Sequence, residues 1–148
     1  MTIKERIQEA MKEALRAKDQ LRLETLRMAK GALLNKEKEG ARDQGLSEAD
    51  AIAALRAEIR KRQQSIETYK EHNRPAEVDR LLQEIAIFEA FLPTQLGEAE
   101  VEAKVRAYLE AHPDMNHPGK LTGAMKKELG DLADGKVLNE VCRRVLGA

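Results

Sequence analysis

Apolar residues recur along the first two thirds of this chain at the three- and four-residue spacing of amphipathic helices. Ile3, Ile7, Met11, Ala14 and Leu15 predict a first helix reaching about Lys18, with Asp19 as break and cap. Leu23, Leu26, Leu33 and Leu34 mark the core side of a second helix, from about Gln20 to Glu39. Arg22 and Arg27 fall inside that pattern, where their aliphatic stems can pack while the charges stay wet. A polar loop is expected from Gly40 to Gly45, followed by Ser47 as the cap of a third helix, with Asp50 in the capping-box position. Ile52, Leu55, Ile59, Ile66 and Tyr69 trace a heptad-like stripe that Arg62 interrupts. This helix should end near Asn73, ahead of Pro75. Val78, Leu81, Leu82, Ile85, Phe88 and Leu92 define a fourth. Four such helices suffice for a bundle with its own core.

Pro93 cannot continue a helix, so 93–96 reads as a hinge, and Gly97 occupies the N-cap position of a fifth helix carrying Val101, Val105, Tyr108 and Leu109. After the loop His112–Pro118 come two short helices around a sharp corner. Pro118 suits the first turn of the earlier one. Gly130 can stop it in a left-handed conformation. Asp134 is the candidate N-cap of the last helix, from about Gly135 to Leu146. The expected fold is all-α: an N-terminal bundle of about four helices over 1–92, the hinge 93–96, and a C-terminal three-helix subdomain over 97–148. Leu26, Ile59 and Ile85 should be buried in the first, and Val105, Leu121, Val141 and Val145 in the second.

Composition agrees with helices: 35% of the 148 residues are charged, 3% are aromatic, and there is no Trp. Lys+Arg and Asp+Glu both number 26, so the formal net charge is zero. Nucleic-acid binders usually carry a basic excess, which counts against a purely electrostatic grip on RNA. Cys142 is the only cysteine, which rules out an intramolecular disulfide, and among Val141, Val145 and Leu146 it reads as a small buried hydrophobe. No apolar run approaches the ~18 residues of a membrane span. The N-terminus is charged and periodic, unlike a signal peptide. The expectation is a cytoplasmic chain without a membrane partner.

Candidate chemistry concentrates near the end. Gly119 and Gly123 leave one side of the sixth helix nearly bare, and Lys120, Lys126, Lys127 and Lys136 surround that surface. Such a helix pair can dock on a phosphate backbone, or simply carry solvated lysines. Gly130 to Lys136 matches the G-x-x-x-x-G-K of a phosphate loop, but Val137 stands where Ser or Thr would hold magnesium, and a helix precedes it where a strand is needed. His112 and His117 flank Asp114 without further ligands nearby, so no metal is expected. Ser47 and Ser65 are the only serines, and no nucleophile constellation is legible. Neither catalytic residues nor a cofactor are expected. On the third helix, Arg56 and Arg60 share a face with Gln63 and Gln64, a second candidate RNA surface or a solvated charged face.

Gly119-Lys120…Gly123 followed by Ala133-Asp134-Gly135-Lys136-Val137…Asn139 resembles the signature of the GatB/YqeY family. Glu84-Ile-Ala-Ile-Phe-Glu-Ala-Phe-Leu-Pro93 with Gln95-Leu96 is similar to the approach to the tail domain found in the tRNA-dependent amidotransferase. Ala17-Lys-Asp19, Leu26-Arg27-Met28 and Ile59 to Ser65 resemble the short, free-standing members. The resemblance implies a tRNA- or RNA-binding accessory module. Lys120 and Lys136, each following a glycine at an expected helix start where the dipole favours a phosphate, are the first candidate contacts, with Asn139 beside them. The resemblance also implies a carbon–nitrogen ligase label, with glutamine as amide donor, taken from relatives. Glu128, Gly130 and Leu132 stand where the family commonly has Lys, Lys and Arg. Zero net charge and the long third helix support a protein-interaction module as the alternative, and one component of an enzyme with an unseen partner is the third reading.

Overall fold

The computed structural model describes residues 1–40 and 44–147. Among these the chain is all-α, with seven α-helices, one short 3-10 turn and no strand. Contacts divide it into two units, Met1–Leu92 and Pro93–Ala148. Half of the loop expected from Gly40 to Gly45, residues 41–43, lies outside the described residues.

The first unit holds α1 (Ile3–Arg16), α2 (Gln20–Glu39), α3 (Glu48–Glu71) and α4 (Pro75–Glu89). Three of them start on side-chain caps. Thr2 accepts the Glu5 N–H, Asp19 that of Arg22, and Ser47 that of Asp50, each at 3.1 Å. Each bond satisfies a donor that the helix itself leaves open, typically worth about 1 kcal/mol. α4 has Pro75 in its first turn instead. Lys18 and Asn73, both at positive φ, turn the chain between α1 and α2 and between α3 and α4. Ile7, Leu26, Leu33, Leu55 and Phe88 lie at the centre of the core.

Three leucines expected inside are outside: Leu15, Leu34 and Leu82 are 63%, 37% and 51% exposed. Each follows directly on a better-buried neighbour, Ala14, Leu33 or Leu81. One residue is about 100° of rotation on a helix, enough to carry a side chain off a narrow seam. α1 also ends at Arg16, not Lys18, because Lys18 has already turned to positive φ.

Arg62 does not interrupt the α3 stripe by pointing outward. It is 8% exposed, within the apolar layer, and its Nε donates to Oε1 of Glu84 on α4 at 3.0 Å. Its guanidinium also stacks over the Phe88 ring, 4.4 Å from the centroid.

The second unit holds α5 (Glu98–Ala111), α6 (Pro118–Leu129), the 3-10 turn Gly130–Leu132 and α7 (Gly135–Leu146). Val101, Val105, Leu121, Met125, Leu138, Val141 and Cys142 form its core, with Val145 half-buried at the edge rather than inside. Burial pushes the Cys142 thiol up from its ordinary pKa, partly offset by a hydrogen bond with Thr122. Arg144 ties α7 to α5, donating to Glu98 at 2.8 Å and to Glu102 at 2.9 Å. Gln95 and Leu96, in the stretch expected as a hinge, bond to the carbonyls of Asp131 and Leu132 at 3.0 and 2.7 Å. Gly97 has no side chain to cap α5, but its own N–H is taken by the Glu100 carboxylate at 3.3 Å. Only that half of a capping box is present.

Candidate nucleic-acid interface

The corner between α6 and α7 is built by one glycine and one cap. Gly130 takes φ 54° and ψ −132°, which is not the left-handed helical conformation expected of it but an extended mirror-image one that only glycine adopts readily. The chain therefore leaves α6 and runs through the 3-10 turn before α7 begins. Asp134 then accepts the Val137 N–H at 3.2 Å. At the start of α6, Nδ1 of His117 accepts the Gly119 N–H at 3.2 Å. The sequence reading missed this role for His117. The signal was available: a short side chain with an acceptor immediately before Pro118 and a glycine.

These caps make the two helix starts unequal as anion sites. On α6, Pro118 has no N–H and that of Gly119 is used, which leaves Lys120. On α7, Asp134 uses the Val137 N–H, and those of Gly135 and Lys136 have no partner among the described residues. Two open N–H groups and the positive end of the helix dipole favour a phosphate there, while the Asp134 carboxylate opposes one.

The lysines fall into two groups. Lys120 and Lys127, two turns apart, line one open groove of about 580 Å³ with Tyr108, Met115, Gly123 and Ala124. A Cβ placed on Gly123 would meet nothing within 4 Å, so the groove floor is bare. Glu128 stands in the same groove. The wall residue Tyr108 stacks on His112 with ring centroids 4.2 Å apart. Lys126 is turned to the other side of α6, where its Cε lies 3.9 Å from the position a Cβ would take on Gly135. It thus reaches the start of α7, beside Lys136 in the chain order; Asn139, one turn on, is exposed like Lys136. None of the four lysines has an ion pair among the described residues, whereas Arg106 and Arg144 in the same unit are held by Glu98 and Glu102.

The α3 candidate looks different. Lys61 is paired with Glu58 at 3.0 Å, and Arg62 is buried against Glu84. Arg56 is half-buried and already engaged. Of Arg56, Arg60, Lys61 and Arg62, Arg60 alone is exposed without an ion pair among the described residues. The structure thus spreads the run around the helix. Glu58 itself is held below the ordinary glutamate range: burial raises it, but hydrogen bonds from Lys61 and Arg62 outweigh that.

Among the described residues no three His, Cys, Asp or Glu side chains converge as metal ligands, and no helix is long and apolar enough to cross a membrane. No curated protein matches the sequence. The family model described as Yqey-like protein matches residues 4–146, nearly the whole chain, and the chain belongs to that family.

Proposed function

We propose that this chain is an RNA-binding accessory module that docks structured RNA, with tRNA as the first candidate, on the lysine face of its second unit. The observation that carries this reading is the segregation of charge within that unit. From 97 to 148 the chain has 8 basic and 9 acidic residues, yet the two signs do not mix evenly. Glu98 and Glu102 on α5 neutralise Arg144, and Asp134 is occupied as a cap. Lys120, Lys126, Lys127 and Lys136 are left with unpaired charge on α6 and the start of α7. Phosphates respond to the local field, so zero net charge does not exclude such a contact. The bare floor at Gly123 lets a sugar–phosphate backbone come close, and the likeness of 119–139 to an amidotransferase tail supports the same partner. Glu128 weakens the attraction.

The test is equilibrium binding of purified tRNA at low salt by three paired variants. Lys120→Ala with Lys127→Ala, and Lys126→Ala with Lys136→Ala, should each weaken binding about tenfold or more. Arg56→Ala with Arg60→Ala should leave it within about twofold. Loss confined to the α3 pair would move the RNA surface to the first unit. No tRNA binding by the wild-type chain would favour the protein-interaction reading.

A further inference from the structure

The first unit carries two exposed apolar surfaces of opposite charge, and neither belongs to the lysine face of the second unit. One is a groove of about 340 Å³ between α1 and α2. Met11, Leu15 and Leu23 line it, and Lys12, Arg27 and Lys30 stand around them. Lys12 is shared with Glu9 at 3.4 Å, while Arg27 and Lys30 have no ion pair among the described residues. Leu15, 63% exposed, is the most exposed leucine of the described chain.

The other is a ridge on α4. Leu82 is 51% exposed and Ala86 lies one turn on, with Asp79 and Glu89 toward the two ends, all exposed at helical spacing. Arg80, next to Asp79 in the chain, is turned aside onto Glu24 and Glu84. Lys70 and Arg74 share a shallow pocket with Asp79, and Arg6 donates to the Ala90 and Phe91 carbonyls beyond Glu89, so the acidic edge is partly offset at both ends. The opposite face of α4 is buried through Ile85 and Phe88. The ridge therefore points away from the core of its own unit and cannot fold back into that unit's groove.

An apolar groove edged by cations selects an apolar strip edged by carboxylates, and this chain presents one. We propose that the groove between α1 and α2 receives the α4 ridge of a second copy of this chain. Leu82 would rest on Leu15 and Met11, with Asp79 and Glu89 facing Lys12, Arg27 and Lys30. The two surfaces differ, so the contact is head-to-tail: each copy offers a groove to one neighbour and a ridge to another. With a single leucine at the centre of each side, the interface belongs to the weak class that buries under about 1,200 Å². Association should therefore depend on concentration and weaken with salt.

The experiment is sedimentation velocity of the full chain from about 10 μM to about 1 mM. A groove variant, Leu15→Glu with Arg27→Glu, loses the groove and keeps the ridge. A ridge variant, Leu82→Lys, does the reverse, and Asp79→Lys with Glu89→Lys serves as a second one. All these positions are exposed, so the circular dichroism spectrum should not change. The wild type should gain average mass with concentration, each variant alone should stay monomeric, and an equimolar mixture of groove and ridge variants should form a dimer and nothing larger. A wild type monomeric at about 1 mM, variants that still self-associate, or a mixture that does not pair would each overturn the proposal.

Discussion

Arg62 Nε and Glu84 Oε1 meet at 3.0 Å inside the first unit, on residues 8% and 7% exposed. The remaining guanidinium nitrogens are used as well. Nη1 donates to the Glu58 carbonyl at 3.1 Å, and Nη2 lies 3.4 Å from the Met28 sulfur. Such a pair adds little net stability over an apolar replacement, but removing one partner strands the other. Arg62→Met should lower stability by about 2–3 kcal/mol, less than the usual loss because Arg80 still lies 3.5 Å from Glu84. The double change Arg62→Met with Glu84→Leu should recover most of that. Urea unfolding followed by circular dichroism measures both. A double variant no more stable than the single one would assign the loss to packing on Phe88 and Met28 instead.

Much of the fold follows from local pattern, and Arg62 marks where that stops. Helix starts at Asp19, Ser47, Pro118 and Asp134 were readable because a cap acts within three residues of itself. The buried pair was not readable as such, since its partners are 22 residues apart. A trace existed: Glu84 sits in the α4 stripe with Leu81, Ile85 and Phe88, as Arg62 does in that of α3. Two opposite charges in two apolar stripes suggest each other. Leu15, Leu34 and Leu82 failed for another reason. Periodicity finds the apolar side of a helix, but the width of the buried arc depends on how neighbouring helices approach. In the candidate site, the lysines could be named from sequence, and adjacent helix positions already send Lys126 and Lys127 in different directions. That Lys126 reaches the start of α7 depends on how α6 and α7 pack and was not legible.

Gly130 sets the corner that places those two lysine groups. Its φ of 54° with ψ −132° is costly for any residue with a Cβ, although the space around it is open. Gly130→Ala should therefore cost about 1–3 kcal/mol through backbone strain alone. It should also weaken RNA binding although Gly130 carries no charge, because the start of α7 moves. Thermal unfolding together with tRNA affinity checks this. Unchanged stability would mean that the corner adopts a conformation open to alanine.

Acid should loosen the second unit through the bond between α5 and α7. A hydrogen bond from Arg144, and then its charge, hold the Glu102 carboxyl below its ordinary pKa of 4.5. A carboxylate lowered on folding contributes stability that is present above its unfolded pKa and lost as pH falls through the folded one. The contribution should thus be complete at neutral pH and fade from about pH 4.5 downward. Glu102→Gln should lower the melting temperature slightly at pH 7 and flatten its decline in acid. Melting curves from pH 7 to 3 decide, and parallel curves for the two proteins would contradict the assignment.

The lysine face can be tested by how tRNA affinity depends on salt. Each phosphate neutralised releases counterions and adds about 0.9 to the slope of log affinity against log salt. With about three contacts, wild-type affinity should fall roughly 40-fold from 50 to 200 mM salt. Replacing Lys120, Lys126, Lys127 and Lys136 together with Ala should remove most of that slope of about 2.7 while circular dichroism stays unchanged. A quadruple variant that keeps the wild-type slope and affinity would show that RNA, if bound, is held elsewhere, and would contradict the proposed function at its centre.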